Sequence, residues 1–324
     1  MSINELKSKC NTAADLTDRW MFKHLAMENI VGSTISDPVL YYKWPLTLFS
    51  RGKKENASEL LLWIAEKCLS DNGDFESKRS GFHLEFHSYA NLWLILAAIE
   101  LKEYSLADKL FGFLFRYHNK ITGGLSTNPS NKKKITEDPL STSFLGMAAC
   151  KINNQDLAGL CLKYLISLVE KQPDQKNFYL RTKSDGSLIR NITSDLDSKT
   201  YLLKIGEKDE SYYFLGAICF FLANYTKTFG TVDEVSKLAD RVRQILMSIG
   251  AEALKTIWAA KVGPGCVALY SVTSDKQYLD IAKPVINAVL ADQHSEGYWL
   301  KNDHPWITVT AEQCYWLTEI HKCL

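Results

Sequence analysis

The chain has no CxxC pair, and no short run brings Cys and His together at the spacing of a zinc site. It has no stretch of about 18 apolar residues, so no membrane-spanning helix is expected. The opening MSINELKSKC has no apolar core, which argues against a secretory signal. Charge of one sign is not in excess: 38 Lys and Arg face 37 Asp and Glu, a net +1. A nucleic-acid binder normally shows a basic surplus, so that class is disfavoured. Gly263 and Gly265 in VGPGC are not followed by Lys-Ser/Thr, which rules out a phosphate loop.

What is present is an ordinary globular composition, 46% apolar and 23% charged, which excludes a disordered chain. Most of the eight cysteines sit in apolar stretches, such as Cys219 in AICFFLA and Cys150 in GMAACKI. Buried free thiols are expected for them, and with them a cytoplasmic location.

The periodicity is helical nearly throughout. Amphipathic helices are predicted after Asn56, Ser105 and Asn154, after Thr231 in a capping box with Glu234, and after Ser274 in a box with Gln277. Between them lie far more apolar helices, near 39–50, 86–101, 139–152, 211–226, 264–273 and 307–321. A helix apolar on most sides is buried on most sides. The order therefore reads outer, inner, outer, inner, with inner starts roughly 45–55 residues apart, the spacing of a helical-hairpin repeat. One longer step holds an irregular insert at about 172–208. With 5–29 as a sixth outer helix, residues 1–324 make one closed domain.

The links from outer to inner helices also resemble one another: SDNGDF (70–75), KITGGLS (120–126), KSDGSLI (183–189) and QHSEGYW (293–299). QHSEGYW, with Gln293, Gly297 and Trp299, is similar to the QxxxGxW motif of the terpenoid cyclase and protein prenyltransferase superfamily. The resemblance implies an all-α fold, an (α/α)6 toroid of alternating inner and outer helices. It does not extend to the catalytic motifs. ITEDPLSTS (135–143) and SDLDS (194–198) depart from DxDD, and no DxC pair is present for a prenyltransferase zinc. No metal and no cofactor are expected.

In a toroid the N-terminal ends of the inner helices ring one mouth of the cavity. Acid–base candidates there are Glu85, His87, Asp138, Asp209, Glu210 and His304. Tyr42, Lys43, Trp44, Asn91, Trp93, Tyr212, Tyr213 and Trp306 are the substrate-binding candidates. A carboxyl in an apolar cavity holds its proton to higher pH, a neighbouring His can shuttle it, and aromatic faces stabilise positive charge. Structural roles compete: Asp138 before Pro139 is a good helix cap, and Asp209 and Glu210 suit the dipole at a helix start. The set fits acid-initiated cyclisation or isomerisation of a hydrophobic small molecule. A carbohydrate-active lyase, hydrolase or epimerase and a non-catalytic binding scaffold are the alternatives.

Overall fold

The structure is a computed structural model that describes residues 2–28, 40–75, 85–127, 135–192 and 195–324. The lysine run at 132–134 and Ser194 of SDLDS lie outside them. Its helices are α1 (Ile3–Glu28), α2 (Trp44–Ser50), α3 (Lys54–Cys68), α4 (His87–Leu101), α5 (Tyr104–Leu114), α6 (Pro139–Lys151) and α7 (Gln155–Glu170). They continue as α8 (Asp195–Tyr201), α9 (Tyr213–Phe229), α10 (Asp233–Ile249), α11 (Val262–Thr273), α12 (Lys276–Ala291) and α13 (Ile307–Cys323). The inner helices of the sequence reading are α2, α4, α6, α9, α11 and α13. In α6, every residue from Pro139 to Cys150 is buried. The outer helices are α1, α3, α5, α7, α10 and α12; α10, for example, buries only a stripe of Val235, Leu238, Ala239, Val242, Leu246 and Ile249.

The chain between α7 and α9 forms only short elements. It carries the two-stranded antiparallel pair β1 (Asn177–Tyr179) and β2 (Leu202–Lys204), together with α8. A second short hairpin, β3 (Leu300–Lys301) with β4 (His304–Pro305), precedes α13. Among the described residues no helix is long and apolar enough to cross a membrane.

Two compact units divide the chain. The first comprises Met1–Arg79, Ala90–Phe115 and Val289–Leu324; within it α13 packs on α1 and α2. The second comprises Ser80–Tyr89 and Arg116–Ala288; within it α9 packs on both α6 and α11.

Two kinds of turn repeat. Each inner helix from α2 to α11 ends at a residue with positive φ: Gly52, Lys102, Asn153, Gly230 and Ser274. In three of these turns the following residue donates its N–H to a carbonyl five residues back, Lys53 to Leu48, Glu103 to Ala98 and Asn154 to Ala149, the Schellman arrangement. The next helix starts at once, so its cap is the residue after the left-handed one. This corrects most of the expected caps. Lys53 and Glu103 take the cap positions of α3 and α5, so Asn56 and Ser105 fall inside those helices. Ser274 is itself the left-handed residue, and Asp275 caps α12 by accepting from Gln277 N–H at 3.0 Å. Val232 rather than Thr231 precedes α10, with no side-chain cap. Asn154 does cap α7, accepting from Leu157 N–H at 3.0 Å.

The outer-to-inner turns carry glycines of positive φ at 73, 123, 186 and 297. A Cβ on Gly73, Gly123 or Gly297 would strike the backbone carbonyl oxygen of Lys109 on α5, Leu160 on α7 or Leu16 on α1. These turns thus seat their backbone directly against an outer helix. The next inner helix completes the seat: Leu125 N–H donates to Thr142 Oγ1 at 3.0 Å, and Trp299 N–H to Thr310 Oγ1 at 3.1 Å. Gln293 Nε2 ties the last turn to Ala13 O and Thr17 Oγ1 of α1, and Trp299 Nε1 reaches Val289 O. The QxxxGxW residues are therefore fasteners. Gly123→Ala should cost more than about 2 kcal/mol, through backbone strain and collision with Leu160. Gly52→Ala, with the same handedness but open space, should cost only about 1–2 kcal/mol. Urea unfolding of both variants checks this; equal losses would show that the close approach contributes nothing.

Candidate functional site

Asp138 leaves an extended stretch, with φ −140° and ψ 155°, to become the N-cap of α6. Extended backbone sends successive side chains to opposite sides. Glu137 accordingly turns into the 119–124 loop, where Oε1 accepts from Asn119 Nδ2 at 2.7 Å. Its Oε2 accepts from Thr122 Oγ1 at 2.9 Å and Thr182 Oγ1 at 3.2 Å. Burial raises the Glu137 pKa, and these three hydrogen bonds act in the opposite sense.

Asp138 is fully buried. One carboxylate oxygen accepts from Ser141 N–H at 2.9 Å, and the other lies 3.2 Å from Arg181 Nη1. Arg181 is fully buried too. Its guanidinium lies over the rings of Tyr201, Phe86 and Phe214, at 5.2, 5.4 and 6.0 Å from their centroids. Its Nε donates to Thr200 O at 3.1 Å and its Nη2 to Glu85 O at 3.4 Å. A charge in such a place is tolerable only when compensated: Arg181 hydrogen-bonds through Nε and Nη2, while its Nη1 and Asp138 Oδ2 face each other as an ion pair without a hydrogen bond.

These contacts converge on Glu85 at the start of α4. Its backbone carbonyl accepts from both Arg181 and Thr127 Oγ1, and its carboxylate takes the Tyr201 hydroxyl at 3.5 Å. Glu85 and His87 are half-buried, whereas Asp138 and Arg181 are closed off. Glu85, His87 and Asp138 all lie in the second unit, which links Glu85 to Asp138 through a residue of the insert. It adds Arg181, whose only sequence signal was a lone cation in the aromatic run FYLRT of the insert.

Nearby, Lys261 precedes α11 and is 8% exposed, with Nζ 4.9 Å from the Tyr213 ring centroid and 5.7 Å from that of Tyr89. Tyr213 stacks on Phe214, with centroids 4.7 Å apart.

The remaining candidates of this unit make local hydrogen bonds. Asp209 is exposed at φ 61° and accepts from Thr256 Oγ1 at 3.0 Å. Glu210, whose pKa burial raises, accepts from Lys204 N–H at 3.2 Å. The Tyr212 hydroxyl accepts from Gly206 N–H and donates toward Lys204 O and Glu207 O. Burial of that phenol pushes its pKa up to about 12.

In the first unit Lys43 and Glu312 form a buried ion pair at the starts of α2 and α13. Lys43 Nζ lies 5.4 Å from the Tyr42 ring centroid and 5.7 Å from that of Trp93. Trp316 Nε1 donates to Glu312 at 3.2 Å. Trp93 meets Tyr315 and Trp316 edge-on, and Trp44 packs on Trp20 and Tyr41. Asn91 Nδ2 donates to Gly73 O at 2.8 Å, which gives it the seat-completing role of Thr142 and Thr310. His304 is exposed on β4, and Trp306 lies under Lys301 Nζ at 5.1 Å. A recess of about 490 Å³ between α7 and α10 and one of about 360 Å³ beside α1 hold none of the predicted site residues.

Cutting the Asp138–Arg181 pair on one side leaves a buried charge. Asp138→Asn and Arg181→Met should each lose about 3–5 kcal/mol of stability, and the double variant much less than their sum. Additive losses in a denaturant double-mutant cycle would show that the two do not interact. Glu137 binds its proton more tightly folded than unfolded. The stability it contributes is thus complete below about pH 4.5 and is lost as pH rises through its folded value. Glu137→Gln should flatten the pH–stability curve in that window; an unchanged slope would remove Glu137 as its source.

No family model and no curated protein matches the chain. Solved structures do. An unsaturated glucuronyl hydrolase specific for heparin is 12% identical with a TM-score of 0.63, over 99% of this chain and 97% of that one. A sugar epimerase from a ruminal bacterium is 14% identical with a TM-score of 0.60, over 98% of each. The type II terpene cyclase MstE from Scytonema is 11% identical with a TM-score of 0.56, over 99% of each. At these identities the likeness shows the fold, an all-α (α/α)6 toroid of alternating inner and outer helices.

Proposed function

We propose that this chain is a cytoplasmic, carbohydrate-active enzyme that moves a proton to or from a sugar, with Glu85 and His87 as its acid–base groups. The supporting observation is the hold on Glu85: its backbone is clasped by Arg181 and Thr127, its carboxylate is met by Tyr201, and its side chain stays partly open to solvent. Acid–base catalysis needs a positioned group within reach of substrate. Asp138 and Arg181 are positioning residues, because both are closed off and act through the start of α4. Asp138 fits poorly as the proton donor of an acid-initiated cyclisation, since its carboxylate is engaged by a guanidinium and a helix N-terminus. The glucuronyl hydrolase and the sugar epimerase give the reading a precedent on this fold.

The second reading is a terpenoid-cyclase-like cyclisation or isomerisation of a hydrophobic molecule. What favours it is the ring wall around the same place, Phe86, Tyr89, Phe144, Tyr213 and Phe214, whose faces suit a carbocation. One screen separates the two. The protein is incubated in D2O with reducing disaccharides, aryl glycosides and unsaturated uronides, and separately with a geranylgeranyl-substituted arene. Sugar cleavage or deuterium uptake is the expected result. Glu85→Gln and His87→Asn should each lower it by about 10²–10⁴-fold with an unchanged circular-dichroism spectrum. Cyclisation of the arene alone would replace the first reading by the second, and full activity in Glu85→Gln would remove Glu85 from the chemistry.

A further inference from the structure

The insert bears on which part of a sugar chain Glu85 can meet. Between β1 and β2, Leu180, Arg181, Thr182, Thr200 and Tyr201 are each at most 2% exposed. Side chains along a bridged stretch alternate in direction, so residues buried in succession are covered on both faces. The insert is also tied down at two inner-helix starts. Thr182 exchanges two backbone hydrogen bonds with Glu137, at 3.0 and 3.1 Å, just before α6. Ser211, just before α9, donates from Oγ to Lys199 O at 3.1 Å. Leu180 N–H joins the two arms by donating to Tyr201 O at 2.8 Å. From these arms Arg181 and Tyr201 reach the start of α4. The guanidinium lies over both Phe86 and Phe214, whose ring centroids are 5.9 Å apart, and so spans the starts of α4 and α9. Tyr201, under the same guanidinium, takes up one flank of the Glu85 carboxylate. A site that cuts within a polymer needs room for sugar units on both sides of its acid. Here one side of Glu85 is filled by fixed, buried side chains.

We infer that the insert is a specificity element that confines the enzyme to a free sugar or to the terminal residue of a chain, with Arg181 and Tyr201 as the wall that excludes internal residues. The inference rests on the sugar reading above and goes beyond it in naming which residue of the substrate is taken.

Manno-, cello- and glucurono-oligosaccharides test it, each with both ends capped, with only the reducing end free, and with only the other end free. Chains with a free end should react there at least about tenfold faster than doubly capped ones. Intact chains beside reaction of the free or singly linked sugars of the screen above also support it. Doubly capped chains cut internally as fast as free ones overturn the inference while leaving the sugar reading in place. If neither these chains nor any sugar of that screen reacts, the sugar reading falls and the inference with it. Tyr201→Ala opens the wall and should raise the capped-to-free rate ratio about tenfold, whatever it costs in overall rate. An unchanged ratio in a folded Tyr201→Ala variant also overturns the inference. The wild-type comparison decides the matter even if Tyr201→Ala fails to fold.

Discussion

The fold depends on close contact between the backbone of a turn and the backbone of an outer helix. At Gly73, Gly123 and Gly297 the chain turns through the left-handed region, and the missing Cβ lets it lie against a helix carbonyl. The contact sets where each following inner helix begins, because a side chain near that helix's start bonds back into the turn. Asn91, Thr142 and Thr310 all do this. Five inner helices also end at a residue of positive φ. The hairpin is therefore fixed at both ends by backbone geometry.

That explains what could be read from the amino acids. The alternation of amphipathic and apolar helices follows from burial alone, and it located all six inner and six outer helices. The glycine turns stood out because only glycine meets the steric demand of positive φ with a carbonyl against the Cα. The caps were harder. Ser274 is a good capping residue by type, but in a tight helix-to-helix link the left-handed residue fixes the register, and the cap follows one place later, at Asp275; Thr231 does follow the left-handed Gly230, yet α10 starts one residue further on, after Val232. Chemical preference at one position yields there to the geometry of the whole turn.

Only some positions of the candidate site were legible in the sequence. Glu85, His87 and Asp138 lie near inner-helix starts, and the structure brings them into one unit. Arg181 was not foreseen, because it comes from the insert and reaches Asp138 and Glu85 only through tertiary folding. Asn91, Glu210 and Tyr212 have the residue types of a reactive site and bond to the backbone of nearby turns, which only hydrogen-bond geometry reveals. Glu137 and Asp138 are adjacent in sequence, and one extended residue is enough to send one carboxyl into a loop and the other into the interior.

The first unit is built from residues far apart along the chain. Helix α1, near its beginning, packs on α13, near its end, and Gln293 reaches back to Ala13 and Thr17. The second unit draws its partners from a continuous block, 116–288, joined by the short segment 80–89. On the ribosome that block can gather its contacts as it emerges. Helix α1 must wait, with the face that α13 covers left open, until α13 has been made, a span over which aggregation and chaperone capture compete with folding.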